Sequence, residues 1–430
     1  MTDALPSRIG KYPIIRELGK GSTSRVYLAR DPFAEREVAI KVFSAKLRGG
    51  ETQEAKRFRK VYANEASLVR KLHHPHIAAI YDAAAEGDVK YIVVEYVPGV
   101  TLAEHCDPDS LLPIEKAIEI IFKCTRALNY ALQNGVIHRD IKPANILISR
   151  DTDIKITDFG LAMHEERFNT TQLTGVGSPA YMSPEQIKEQ TLNHRTDIYS
   201  LGVVMYQMLT GKLPFNANNN AGLTYLILHQ ESEAPRSVRP EIPEVLEKII
   251  LKAMQKKPAE RYQTWLEFAK ELTGAAGSLK VAEDELSDTK KFNTIKRLSF
   301  FRDFADAEIW EVLRISNFRR VYKDAMIVRE GERGDCFFFV AQGGVEVTRA
   351  GTLLNILNSG DCFGEMLYFA ETTALRTTTI TAAADSLLVE VKASALKAAS
   401  EGCQIEFNKA FIRILIERLS SAHERIAESS

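Results

Sequence analysis

The run His138-Arg139-Asp140-Ile141-Lys142-Pro143-Ala144-Asn145-Ile146 constrains this chain more than any other stretch, and Asp158-Phe159-Gly160 begins thirteen positions after Asn145. It sets a carboxylate that can act as a base at Asp140, a cation at Lys142 and a metal-binding amide at Asn145, all at fixed spacing. Asp158 adds a second acid, and Gly160 lets the backbone turn behind it. That set, in that order, is what phosphoryl transfer from ATP requires on one side of its site.

At 430 residues the chain exceeds one ordinary core, so two or three domains are expected. Lys and Arg (56) nearly balance Asp and Glu (57), a net charge of -1 that gives no reason to expect nucleic-acid or membrane-surface partners. Five scattered cysteines (Cys106, Cys124, Cys336, Cys362, Cys403), none in a C-x-x-C pair, read as buried reduced thiols. The first eight residues show no apolar signal core. The apolar stretch Ile198 to Leu209 is too short for a bilayer and reads as a buried helix. A cytoplasmic protein is the expectation.

Short β-branched runs alternate with turns over residues 8–97: Tyr12 to Ile15, Arg25 to Leu28, Val38 to Phe43 and Tyr91 to Val94 read as strands. Gln53 to Leu72 has helical spacing between them. From Pro113 to about Leu272 the pattern is mainly helical. Thr273 to Ser278 is a break of small residues, and residues 273–291 read as a partly helical linker. Leu298 to Ile315 is again helical, and from Val321 to Val391 strands and glycine turns recur as in a β-roll. Ile405 to Ile426 reads as an amphipathic helix with Phe411, Ile412, Leu415, Ile416 and Leu419 on its apolar side.

The other side of the phosphoryl-transfer site is visible upstream. Gly19-Lys20-Gly21-Ser22-Thr23-Ser24-Arg25-Val26 lies between two strands, where glycines let a hairpin approach phosphates and offer N–H groups to them. Val38-Ala39-Ile40-Lys41 puts a lysine on an apolar strand, and Glu65 stands mid-helix after it.

Together these motifs resemble the eukaryotic-type (bacterial Hanks-like) Ser/Thr protein kinases over about residues 8–272, with an N-lobe to about residue 97 and a C-lobe from 98. The resemblance implies ATP and Mg2+ as cofactors and proteins as substrates. It implies that Asp140 orients the substrate hydroxyl, that Lys142 neutralises charge on the transferred group, and that Asn145 and Asp158 hold magnesium. Lys41, oriented by Glu65, would meet the ATP phosphates. Gly19, Gly21, Ser24 and Val26 would cover the nucleotide, Val94 would back the adenine pocket, and Glu95 and Val97 would meet adenine through the backbone. Ser24 stands where the family carries a third glycine. His138 reads as a packing residue. Ser183-Pro184-Glu185 replaces the family's Ala-Pro-Glu, with Glu185 expected to pair with Arg261, and Asp197 is expected to anchor the catalytic loop. Arg139 beside Asp140 suggests a phosphate on the activation segment, with Thr171 and Thr174 as candidate autophosphorylation sites.

Residues 292–425 resemble a cyclic-nucleotide-binding domain of the catabolite-activator type. Glu330 to Asp335 with Phe337 to Val340, Gly360 to Glu365, and Arg376 to Ala382 carry this likeness. It implies a phosphate cradle at Gly364, a ribose contact at Glu365, a phosphate grip at Arg376 and a base contact at Thr377, for cAMP or cGMP. The eleven positions from Glu365 to Arg376 exceed the family spacing, and Leu375 replaces its proline. No DNA-reading helix-turn-helix is expected after the last helix, which is a candidate ligand lid or homodimer contact.

The expected fold is therefore α+β and multidomain: a bilobal protein kinase fold, then a β-roll with flanking helices. Two other readings stay open. One is an ATP-binding signalling scaffold; the other is an active kinase whose C-terminal domain is a ligand-free interaction module.

Overall fold

A computed structural model describes residues 6–21, 24–43, 72–86, 89–150, 152–159, 179–278, 287–369 and 375–428. They fall into two compact units, Met1–Ala282 and Glu283–Ser430.

The first unit opens with six antiparallel strands: β1 (Arg8–Ile9), β2 (Tyr12–Lys20), β3 (Ser24–Asp31), β4 (Arg36–Phe43), β5 (Ile80–Glu86) and β6 (Val89–Glu95), in the order β1-β2-β3-β4-β6-β5. Alternation sorts their side chains into two faces. Tyr12, Tyr27, Ala29, Val38, Ile40, Tyr91 and Val93 join one apolar cluster. Gly19, Val26, Lys41 and Ile92 lie in one cross-strand row, and Leu28, Ala39 and Val94 in the next, which assigns these residues to the opposite face. A one-residue slip would send Lys41 into the apolar cluster, so the core itself fixes which face carries the lysine.

The helical lobe follows. Its helices are α1 (Ile114–Gln133), α2 (Pro184–Ile187), α3 (His194–Thr210), α4 (Asn220–His229), α5 (Pro235–Val238), α6 (Glu244–Ala253) and α7 (Trp265–Ser278). A three-stranded sheet, β7 (Val100–Thr101), β8 (Ile146–Arg150) and β9 (Asp153–Ile156), is set among them in that order. Helix α3 starts at the Asn193 side-chain cap and ends at Gly211, whose left-handed φ of 73° suits glycine. From Thr196 to Thr210 only Gln207 is not buried, which matches the short apolar run in the sequence. Each fully buried aliphatic side chain there contributes about 1.5–3 kcal/mol. Helix α7 continues through the small-residue stretch because alanine favours helix and Ala275 is buried in the core.

The second unit begins with α8 (Asp288–Arg297) and α9 (Asp306–Ile315). Its strands are β10 (Ser316–Val321), β11 (Met326–Val328), β12 (Cys336–Gln342), β13 (Gly344–Arg349), β14 (Thr352–Asn358), β15 (Cys362–Phe363), β16 (Thr379–Ala382) and β17 (Ser386–Lys392). Two four-stranded sheets form, β10-β17-β12-β15 and β11-β16-β13-β14. Strand β12 is buried on both faces: Phe338 and Val340 belong to the roll's core. Phe337 and Phe339 instead meet Phe407 and other rings on the helical side. Helices α10 (Met366–Phe369), α11 (Ala393–Lys397) and α12 (Glu401–Glu428) complete the unit.

Helix α12 departs from the sequence reading. It buries Cys403, Phe407, Ala410 and Phe411, whereas Ile405, Ile412, Leu415, Ile416 and Leu419 are exposed. Two apolar stripes share the helix, and only one faces its own core. All five cysteines are buried with free thiols, and among the described residues no helix is long and apolar enough to cross a membrane.

Candidate active site

Three of the expected residues sit on one loop and hold one another. The Lys142 ammonium lies 2.7 Å from the Asp140 carboxylate. The buried Asn145 donates from Nδ2 to the Asp140 carbonyl (2.8 Å) and carboxylate (2.9 Å). With its nitrogen spent on those oxygens, the amide keeps Oδ1 for a cation. The Asn145 carbonyl accepts from the Thr157 N–H (2.9 Å), which ties the loop to the chain just before Asp158.

The backbone bearing Asp140 is bent, with Arg139 at φ 68° in the left-handed region. Asp197, fully buried on α3, stabilises it by accepting from the N–H groups of His138 (2.8 Å) and Arg139 (2.7 Å). Burial pushes the Asp197 carboxyl up despite those bonds. His138 is buried: its Nδ1 accepts from the Asp140 N–H (3.2 Å), so Nε2 carries the proton it donates to the Thr157 carbonyl (2.8 Å). Its ring packs 4.6 Å from Phe159, the packing role expected for it.

On the sheet, Lys41 forms an ion pair with Asp158 at 2.9 Å. Glu65, its expected partner, lies outside the described residues, as do Thr171 and Thr174. Asp158 itself adopts a left-handed φ of 65°. At the hairpin tip the Gly21 N–H donates to the Ser24 carbonyl (2.8 Å). Ser24, in place of the family's third glycine, is buried at the strand start. Val97 lies past the end of β6, whereas the Glu95 N–H is already spent on the Ala79 carbonyl (2.8 Å). That leaves the Glu95 carbonyl as its backbone group for a ligand.

The Glu95 carboxylate reaches Lys155 of β9 with both oxygens at 2.8 Å, and also accepts from the Ala79 N–H (3.2 Å). Next to it, Ile77 bridges Ile156 in parallel, and Ala78 and His76 bond the Ile156 backbone. The strand leading to Asp158 is thereby stitched to the end of β6. Sequence reasoning missed Lys155; the alternation of Lys155 with buried Ile154 and Ile156 was the available signal.

The expected Glu185–Arg261 pair is present and bidentate, at 2.7 and 2.8 Å. Burial acts to raise the Glu185 carboxyl, but the Arg261 bonds and charge outweigh it and hold the group below the usual carboxylate range. Ser183 caps α2 in a reciprocal box with Gln186, which explains a serine at this position.

Asp158 and the Asn145 amide oxygen are hard oxygen donors suited to magnesium, which characteristically takes few protein ligands and completes its shell with phosphates and water.

In the second unit the Arg376 guanidinium is turned into the fold. Its Nη2 donates to the Cys336 carbonyl (2.7 Å). It packs so closely on Gly334 and Gly364 that a Cβ at either would fall 2.6 Å from its nitrogens. Glu365 is buried, Thr377 is exposed, and the helix after Gly364 is only four residues long.

Residues 12–272 match the protein kinase domain family, and residues 318–401 match the cyclic nucleotide-binding domain family. The serine/threonine-protein kinase PrkC of Bacillus subtilis is 39% identical over 256 residues, 59% of this chain and 39% of that protein. The serine/threonine-protein kinase PknB of Mycolicibacterium smegmatis is 38% identical over 291 residues, 66% of this chain and 45% of that protein. The matched region thus spans less than half of either relative. With catalytic loop, lysine strand and buried Glu–Arg pair assembled as described, the chain belongs to the protein kinase family, is similar in that domain to bacterial serine/threonine-protein kinases, and carries a cyclic nucleotide-binding domain after its kinase domain.

Proposed function

We propose that the first unit transfers the γ-phosphate of ATP to Ser or Thr hydroxyls of proteins, and that the second unit senses a cyclic nucleotide. One observation carries the first claim: Asp140, Lys142 and Asn145 are interlocked on a loop tied to the segment that delivers Asp158 to Lys41. In this reading Asp140 accepts and aligns the substrate hydroxyl, and Lys142 offsets charge on the transferred group. Lys41 holds the ATP phosphates, Gly19, Gly21, Ser24 and Val26 cover them, and the Glu95 carbonyl and Val97 meet adenine. Asn145 and Asp158 hold magnesium, which supplies charge neutralisation on the triphosphate.

Arg139 supports regulation by autophosphorylation. Its Nε is buried without an acceptor among the described residues, and a phosphate on Thr171 or Thr174 would supply one. For the second unit, the inward-turned Arg376 beside Gly364 supports a grip on a cyclic phosphate, with Glu365 and Thr377 towards ribose and base. Such a ligand regulates the kinase only by the difference in its affinity for two states. The exposed stripe on α12, Ile405, Ile412 and Leu419 at intervals of seven with Leu415 between, fits a second copy of the chain in a coiled-coil seam. Five buried free thiols suit a cytoplasmic setting.

The test is autophosphorylation and phosphorylation of a generic protein substrate with Mg-ATP, titrating cAMP and cGMP. Transfer lost in Asp158→Asn, and nucleotide dependence lost in Arg376→Ala, support the two parts. Transfer that persists in Asp158→Asn removes the first, and a rate indifferent to both nucleotides removes the second.

A further inference from the structure

The peptide group joining Arg139 to Asp140 is held at both ends. Its N–H donates to His138 Nδ1 at 3.2 Å. Its carbonyl accepts from Gln186 Nε2 at 2.9 Å. The other end of the same Gln186 amide accepts from the Ser183 N–H at 2.9 Å, which closes the cap of α2. One side chain therefore bolts the start of α2 to the peptide that carries the candidate base. This matters because Arg139 is held in the left-handed region at φ 68°, a conformation that persists in a non-glycine residue only when its surroundings over-determine it. Asp197 fixes the N–H groups of residues 138 and 139; it does not touch the 139–140 peptide plane. Among the described residues the Gln186 amide supplies the bond to that carbonyl.

We propose that Gln186 is a positioning residue for Asp140, acting through the Arg139 carbonyl to hold the base's peptide at the orientation catalysis needs. The role rests on the kinase reading above. It also makes the chemistry at residue 186 specific. A helix cap of this kind works with glutamate or glutamine, because only the acceptor oxygen is used. The bond to Arg139 demands a donor, which glutamine has and an ionised carboxylate lacks.

Gln186→Glu separates the two roles in the full-length chain. The cap survives, so the melting temperature should stay within about 2 °C of wild type. The kcat should fall about tenfold, about 1.4 kcal/mol at the barrier, with KM for ATP nearly unchanged. The ratio of variant to wild-type kcat should rise as pH falls from about 8 towards about 5, because the introduced carboxyl regains a proton to donate. Gln186→Ala should lose both kcat and melting temperature. An unchanged kcat in Gln186→Glu overturns the proposal. So does a fall in kcat that tracks melting temperature and leaves the ratio flat with pH, which marks a purely structural residue. Asp140→Asn runs alongside: if wild type shows no transfer that this change abolishes, the kinase reading fails and the positioning role falls with it.

Discussion

Replacing Arg261 with methionine tests how the helical lobe supports the catalytic loop. The Arg261 side chain is 0% exposed and that of Glu185 5%. Arg261 makes five hydrogen bonds: two to Glu185, and one each to the carbonyls of Gln255, Arg195 and Lys256. Its guanidinium also lies 4.9 Å from the Tyr199 ring centre. Methionine keeps most of the volume but strands the Glu185 carboxylate in the interior, with the Thr196 hydroxyl (3.0 Å) as its remaining side-chain donor among the described residues. Breaking one half of a buried pair costs about 3–5 kcal/mol. At about 2–4 °C per kcal/mol for a domain of this size, the kinase transition should drop by roughly 6–20 °C. Calorimetry of the full chain reads this directly, and the transition of the second unit serves as internal reference. Removing both charges, Glu185→Leu with Arg261→Met, should recover part of the loss, because no ion is left buried alone. A drop below about 2 °C, or a double variant no better than the single one, would refute the reasoning.

Other outcomes follow from the same geometry. The folded-state pKa of Glu185 is depressed, so its pair contributes stability that is fully present above the unfolded carboxylate value of about 4.3 and is lost as pH falls through the folded value. Glu185→Leu with Arg261→Met should flatten that part of an acid-denaturation curve. Gly334→Ala should displace the Arg376 guanidinium without left-handed backbone strain, since the crowded atoms are the end of a flexible side chain. Calorimetric titration should then show cAMP or cGMP affinity lowered at least about tenfold with thermal stability preserved; unchanged affinity would place the ligand elsewhere. Ile412→Asp with Leu419→Asp should convert a dimer into a monomer in analytical ultracentrifugation, because both positions lie on the exposed stripe of α12. A wild-type chain that sediments as a monomer would dismiss that interface.

Much of this site was legible because its chemistry is contiguous. Asp140, Lys142 and Asn145 fall within six positions, and Asn145 must turn inward once its amide bonds Asp140. The faces of the N-terminal sheet were equally readable, since alternation through Val38-Ala39-Ile40-Lys41 separates the core face from the lysine face. Long-range side-chain choices were not. Glu95 meets Lys155 sixty positions away; the local alternation marks the face Lys155 occupies but not the partner it finds there. Gln186 was within reach, because Ser183-Pro184-Glu185-Gln186 has the spacing of a capping box; its bond to Arg139 was not, being set by how α2 packs. Helix α12 misled for a physical reason. Its apolar residues cover more than half of the circumference, so periodicity alone does not say which stripe meets the roll and which meets solvent.

The most direct test of the account is single-turnover transfer of the γ-phosphate from Mg-ATP to a protein acceptor, wild type against Asp140→Asn. The account predicts ATP binding within about twofold of wild type and a transfer rate lowered at least about a hundredfold, because Asp140 aligns the hydroxyl and Lys41 and Asp158 serve the nucleotide. Transfer at the wild-type rate in Asp140→Asn would contradict it.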